Sequence, residues 1–263
     1  MKPYFLITIT MILFSCSANK HVSELFSRSK SLENKTFHYQ DLDGLPKPLQ
    51  GYFRYALEDG QSCLSQLRLK HTGRFKTGVE KDWVDIKGEQ YFTAQPPGFV
   101  WLGKTKAFKA RDSYVTNNGN LSVYLFGSLR IVNSKGRTVD QAELLRWLGE
   151  SVWMPTNLLP NEHISWSGID ENTAKITFDW NGHSVYYIVH FNEKNQVIKI
   201  ETERYMEENR LEKWEGRLGD YRQVNGIRVP GSIEASWLLK EGKHTYADFR
   251  VEIFEYNIPK CFE

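Results

Sequence analysis

Over most of this chain apolar residues alternate with polar ones, the period of a strand that is dry on one face and wet on the other. Leu67 and Leu69 alternate with Gln66, Arg68 and Lys70. Residues 83–93 and 99–104 read as two further strands, set apart by Gln95-Pro96-Pro97-Gly98, whose prolines cannot sit inside a ladder. Strands follow at 108–115 and 121–132, turned by Asn117-Asn118-Gly119. Ile176, Phe178 and Trp180 alternate with Thr177 and Asp179, and Asn181-Gly182 then supplies a strong hairpin signal. The return strand, 185–191, is apolar on both faces, which predicts cover on both sides. Strands at 197–205, 214–224, 227–238 and 246–256 complete the series, with Asn225-Gly226 as a second hairpin turn.

The period lengthens in two places. Leu45-Pro46-Lys47-Pro48 opens a short helix that runs through Tyr52, Phe53, Tyr55, Ala56 and Leu57 to the turn Asp59-Gly60. Residues 140–155, DQAELLRWLGESVWMP, predict a central helix with Asp140 as N-cap, Glu143 as its capping-box partner and Pro155 as the stop. Leu144, Leu145, Leu148 and Val152 form one apolar stripe that requires a sheet beneath it. Arg146 and Glu150 lie roughly opposite, an i,i+4 pair in the weaker order. Either they are a solvated pair, or the flanking Trp147 and Trp153 leave them no water and they bond to groups after Pro160, with Asp170 and Arg204 the nearest charged candidates. About ten strands and two helices define a mainly-β (α+β) domain, a large curved antiparallel sheet with a central and an N-terminal helix packed on it.

The first residues do not belong to that domain. Lys2 precedes an apolar run at 4–14, which is shorter than the roughly 20 residues that span a bilayer as a helix. Leu13-Phe14-Ser15-Cys16 resembles the lipobox of bacterial lipoproteins, which implies cleavage before Cys16, diacylglycerol and palmitate at that cysteine, and a place on the periplasmic face of the cell envelope. An ordinary secretory peptide with a chance cysteine is the alternative, and under both the globular part is exported. The predicted organisation is a signal peptide at 1–15, a polar tether at 16–43 and one antiparallel β domain at 44–263.

Composition narrows the partners. With 34 basic against 32 acidic residues the chain has no electrostatic footprint for nucleic acid. Aromatics make up 14% of it, which suits strands around a wide apolar interior. If Cys16 carries lipid, Cys63 and Cys261 remain, and an even pair in an exported protein predicts a disulfide; two buried free thiols are the alternative.

The sequence has no Gly-x-Ser-x-Gly, His-Glu-x-x-His, Gly-x-Gly-x-x-Gly, phosphate loop or Cys-x-x-Cys, so no catalytic residue is assigned. Its histidines, at 21, 38, 71, 163, 183, 190 and 244, lack ligand spacing, and neither a metal nor a cofactor is expected. What stands out is Arg146, Glu150, Asp170 and Arg204 set among Trp101, Trp153, Trp166 and Trp214, which is either a structural network or the polar end of a pocket. The favoured reading is a lipid-anchored binding or carrier module for an apolar or acyl-bearing envelope ligand, with Arg146 or Arg204 meeting an anionic head group. An envelope hydrolase or isomerase using Glu150 and Asp170 as acid and base is a second reading, and a purely structural protein with a filled sheet a third.

Taken in order, Gln95 to Trp101 (QPPGFVW), Arg111-Asp112-x-Tyr114, Gly119, Gly127, Arg146-Trp147-Leu148-Gly149-Glu150, Trp153-x-Pro155, Trp166-x-x-x-Asp170, Arg204, Trp214, Tyr221 and Trp237 resemble the bacterial domain of unknown function 6544, over about 45–257. The resemblance implies an exported or membrane-anchored protein and carries no activity. The family more often has tyrosine at the position of Trp147, which still leaves an aromatic there. The strand pattern is also similar, as fold analogy alone, to half-barrel lipoprotein carriers of the bacterial envelope.

Overall fold

A computed structural model describes residues 19–126 and 129–263; the apolar run before Cys16, Cys16 itself and Gly127 lie outside the described residues. Residues 19–27 form helix α1. The chain then gives β1 (Thr36–Phe37), a 3-10 turn (Tyr39–Leu42), α2 (Lys47–Ala56) and β2 (Gln61–Ser62), which pairs with β1. A meander follows: β3 (Gln66–Phe75), β4 (Val84–Thr93), β5 (Gly98–Lys104), β6 (Phe108–Val115), β7 (Asn118–Leu125) and β8 (Leu129–Ser134). Helix α3 (Arg137–Glu150) then leads to a second meander, β9 (Ile164–Asp170), β10 (Thr173–Trp180), β11 (His183–Phe191), β12 (Val197–Glu207) and β13 (Arg210–Gly219). After a small ribbon of β14 (Arg222–Val224) and β15 (Ile227–Val229) come β16 (Ser232–Leu239) and β17 (Gly242–Tyr256).

Among the described residues thirteen strands form one antiparallel sheet, in the order β8-β7-β6-β5-β4-β3-β17-β16-β13-β12-β11-β10-β9. The fold is mainly β, a curled half-barrel. Each meander starts at an edge or ends at one, and the two join where β17 pairs with β3, from Tyr256↔Leu67 to Ala247↔Phe75. Helix α3 links edge strand β8 to edge strand β9 and packs against β5, β6 and β7 on one side and β11 and β12 on the other. The tight turns follow the sequence: Asn181 and Gly182, like Asn225 and Gly226, have the positive φ angles that two-residue hairpins require.

Several expectations change. The stretch 121–132 is two strands, β7 and β8, parted near Phe126. The stretches 214–224 and 227–238 each break, at Asp220 and at Pro230-Gly231, so the Asn225-Gly226 hairpin stands as its own ribbon. Strand β9 had no clear signal, because Ser165, Ser167 and Asp170 are exposed on a sheet edge and Ile169 is exposed with them. On β11 only Val185, Tyr187, Val189 and Phe191 are buried, while Tyr186, Ile188 and His190 stay half-exposed, so that strand is covered on one face only. Helix α3 has Gly136 as its N-cap, four residues before the expected cap, and the Asp140 carboxylate is engaged elsewhere: it accepts the Gly119 amide at 2.7 Å. Its stripe of Leu144, Leu145, Leu148 and Val152 is buried as expected, yet Glu143 and Trp147 are buried as well, so the helix is enclosed on most sides.

The expected tether is also corrected. Helix α1 places Val22, Leu25 and Phe26 on the outer face of the sheet against Tyr91 and Val100, and residues 36–42 add a strand and a turn whose Phe37 and Leu42 are core. The 3.6-period spacing of Val22, Leu25 and Phe26 carried that signal within a polar stretch. Cys63 and Cys261 are separate free thiols, which corrects the disulfide: Cys63 follows β2 with its amide on the Lys35 carbonyl, whereas Cys261 packs beside α1 on the outer face. Among the described residues no helix is long and apolar enough to cross a membrane.

Candidate functional site

The concave face and α3 enclose a cavity of about 600 Å³, walled by aliphatic and aromatic residues such as Phe75, Ile86, Phe108, Val123, Ile200 and Ile233. Two tryptophans on opposite meanders share one arrangement. A Cβ added at Gly103 would lie 2.2 Å from the Trp101 ring, and one at Gly216 would lie 2.9 Å from the Trp214 ring, so each indole folds flat along its own strand over a glycine two residues on. Both indole N–H groups are satisfied by the sheet: Trp101 Nε1 donates to His71 Nε2 at 2.7 Å and Trp214 Nε1 to Tyr246 Oη at 2.9 Å. The ring faces are thereby left to line the cavity. His71 is buried, stacked on Trp101, and neutral; burial, aided by the Arg146 charge, pulls its pKa down to about 3.

The polar end is built on Arg146. Its Nη1 donates to Asp112 Oδ2 at 2.6 Å, its Nε to Glu150 Oε1 at 2.9 Å and its Nη2 to Gln90 Oε1 at 3.3 Å, while Gln90 Nε2 donates to Glu150 Oε2 at 2.7 Å. The guanidinium also lies over Phe99 and Trp101, 4.9 and 5.2 Å from the ring centroids. The Arg146 side chain is only 15% exposed and that of Glu150 12%, so this is a buried network rather than a solvated pair. Burial alone would lower the Arg146 pKa, but the charges of Glu150 and then Asp112 outweigh it and the pKa is raised. Glu143 shows the reverse. Burial, followed by the neighbouring Asp112 carboxylate, raises its pKa well above the usual carboxylate range against the pull of Arg204 and Arg146, so it is a neutral acid.

Arg204 differs from Arg146 in having no hydrogen bond or ion pair within the protein among the described residues; its guanidinium stands 6.0 Å from the Trp214 ring. It sits at a junction. A second hollow of about 690 Å³ opens outward from the first and shares Phe75, Thr77, Leu121, Arg204 and Tyr246 with it. Lys76, Asn133, Lys135, Arg137, Glu207 and His244 line this vestibule, so it is more polar than the inner chamber.

Of the residues singled out in the sequence, Trp101, Arg146, Glu150, Arg204 and Trp214 meet at the cavity. Three do not. Trp153 is buried in the core with its indole N–H on the Pro230 carbonyl, and Trp166 donates to the Leu158 carbonyl. Asp170 is exposed at the β9–β10 turn, where its carboxylate accepts the Asn172 amide at 2.8 Å. The partners of Arg146 and Glu150 therefore come from β4 and β6, before the helix, and not from Asp170 or other groups after Pro160. Gln90, Asp112, Glu143, His71 and Tyr246 had not been singled out as site residues. Alternation held the signal for two of them: Gln90 falls in phase with buried Phe92, and Asp112 with Ala110 and Tyr114, so both point inward. Among the described residues no group of three or more His, Cys, Asp or Glu is placed to hold a metal ion.

Fold and site together define a curled antiparallel half-barrel with a helix laid across its mouth and a chamber of mixed apolar and cationic lining. The chain belongs to the family of unknown function DUF6544, whose model matches residues 35–249. No curated protein matches it in sequence. Among solved structures it is similar to a Vibrio parahaemolyticus domain named for outer-membrane lipoprotein sorting, with 9% identity and a TM-score of 0.42 over 73% of this chain and 86% of that one. It is similar to a LolA-superfamily protein of Nitrosomonas europaea, with 11% identity and a TM-score of 0.37 over 79% and 91% of the two chains. A DUF1329-family protein of Desulfovibrio piger gives 8% identity and a TM-score of 0.43 over 92% and 94%. At these scores none of the three bears on what this chain binds.

Proposed function

We propose that this chain is a lipid-anchored protein of the bacterial cell envelope that binds or carries an amphiphile, with an acyl or other apolar part in the inner chamber and an anionic group at Arg204. The observation that carries the reading is the position of Arg204, a cation with no hydrogen bond or ion pair among the described residues, where the apolar chamber meets the polar vestibule. A cation left without a partner in a low-dielectric wall is costly unless an anion or ordered water meets it. Arg146 does not take that role, because the carboxylates of Asp112 and Glu150 already meet its charge. The anchor and the envelope location rest on the run ending at Cys16.

The other readings have less support. Glu150 and Asp170 share no cleft, so they do not form an acid–base pair, and a purely structural protein has no need of the open chamber. Native mass spectrometry of protein extracted gently from membranes tests the proposal. A reproducible non-covalent adduct on the parent, lost or strongly reduced in Arg204→Gln, is the expected result. No adduct on the parent, or one of equal occupancy in the variant, would overturn it.

A further inference from the structure

The outer face of the sheet carries a second feature that the cavity does not use. Reading across the strands, Lys87 pairs with Lys104, Lys104 with Lys109, Lys109 with Tyr124 and Tyr124 with Arg130, a continuous cross-strand row over β4 to β8. Like charges placed directly opposite each other in a sheet repel. The repulsion is felt within the row: burial first, and then the neighbouring Lys104, push the Lys109 pKa down. Lys106 adds a further exposed cation at the β5–β6 turn. No salt bridge ties Lys87, Lys104, Lys106 or Arg130 to a carboxylate among the described residues. A hollow of about 870 Å³ on this face is lined by Lys87, Lys104 and Lys106 with Arg74 and Arg250, against the two carboxylates of Asp85 and Asp248, so its lining carries an excess of positive charge.

The row ends beside exposed apolar side chains. Phe126 is 87% exposed and Leu129 59%, both at the end of the β7–β8 hairpin, on the same end of the sheet as the β5–β6 turn because Phe108 pairs with Leu125 and Leu125 with Leu129. Ile131, next on the same strand, is exposed and also lines the inner chamber.

We infer that the β4–β8 end of the sheet is a docking surface for an anionic lipid bilayer, with the cationic row at the phosphate level and Phe126 and Leu129 among the acyl chains. Charge complementarity selects this occupant, since phosphates are a counter-charge for Lys87, Lys104, Lys106 and Arg130, which form no salt bridge among the described residues, and each basic side chain near an anionic surface adds about fivefold in affinity. The apolar pair at the end of the row supplies the part that enters the hydrocarbon boundary. Leu125 and Ile131 continue from that hairpin into the chamber wall, so docking here brings the rim of the chamber to the membrane. The surface is argued from β4–β8 alone and does not require that the chamber be filled.

The test is hydrogen exchange of the full chain on vesicles of phosphatidylcholine, with and without phosphatidylglycerol, so that any N-terminal anchor contributes equally to both. Amides of residues 104–109 and 129–131 are expected to slow severalfold on the anionic vesicles only. That slowing should vanish in Lys104→Gln/Lys106→Gln/Arg130→Gln, whose three lost charges weaken docking about a hundredfold. An unchanged unfolding midpoint confirms that the variant is folded. Equal slowing on both vesicle types, no slowing, or slowing retained in the triple variant overturns the inference. Slowing of the same amides by soluble polyphosphate to the same degree also overturns it, in favour of a general phosphate site.

Discussion

The Arg146 guanidinium and the Asp112 carboxylate, 2.6 Å apart, join the middle of helix α3 to strand β6 inside the half-barrel. Glu150, one helical turn on, holds the same guanidinium from the other side at 2.9 Å. Removing one member strands the charge of another in a buried setting, so Arg146→Ala and Glu150→Ala should each cost about 3–5 kcal/mol, against under about 1 for a solvated pair. Denaturant unfolding of both singles and the double checks this, and the double should cost clearly less than the two singles added together.

Glu143 gives the protein a pH dependence of definite sign. Its folded pKa is raised, so the folded state holds a proton that the unfolded chain gives up near pH 4.5. Its contribution is therefore fully present below about pH 4.5 and is lost as pH rises through the folded pKa, at up to about 1.4 kcal/mol per pH unit. Unfolding free energies measured from pH 4 upward should show that slope in the parent and a flatter profile in Glu143→Gln.

Arg204→Gln should leave stability nearly unchanged, because no internal partner loses its bond. Loss of a charge-assisted hydrogen bond of about 1.5–3 kcal/mol should weaken binding of an anionic amphiphile by about 10- to 100-fold. Titration with a fatty acid and with the corresponding fatty alcohol separates the two parts of the site. The acid should lose affinity in the variant and the alcohol should not.

Cys16→Ser should prevent acylation and leave the chain either soluble outside the cytoplasm or unprocessed. Fractionation with membranes identical to that of the mature parent would count against the anchor.

Cys63 and Cys261 are free in the fold, so both should alkylate in unfolded, unreduced protein. Mass spectrometry reads the result directly, and a pair of protected thiols would contradict it.

The sheet was legible because alternation and Asn-Gly turns are local signals, and residues 45–57 and 140–155 read as helices because their apolar spacing is local too. Edge strand β9 escaped because an edge can expose Ile169 and so loses the alternation that marks a half-buried strand. The site was half legible. Tryptophans beside charges drew attention to Arg146, Glu150 and Arg204, but the partners of Arg146 lie 34 and 56 residues earlier in the chain, at Asp112 and Gln90, and only the register of β4, β5 and β6 brings them under the helix. Asp170 was misplaced for the same reason: sequence proximity to the helix says nothing about which face of which strand meets it.

The pairing of β17 with β3 has a consequence for the order of events during synthesis. Arg68 and Glu255, in contact across that pairing, are 187 residues apart, whereas each meander is made of neighbouring strands, so the pairing carries the largest loop-closure cost in the sheet and is expected to form last. The chamber takes its walls from both meanders, with Trp101 and Phe108 from the first and Arg204, Trp214 and Tyr246 from the second. A chain emerging N-terminus first thus has half a chamber and no enclosure until its final strand arrives, and a truncation before residue 247 would remove the seam that closes it.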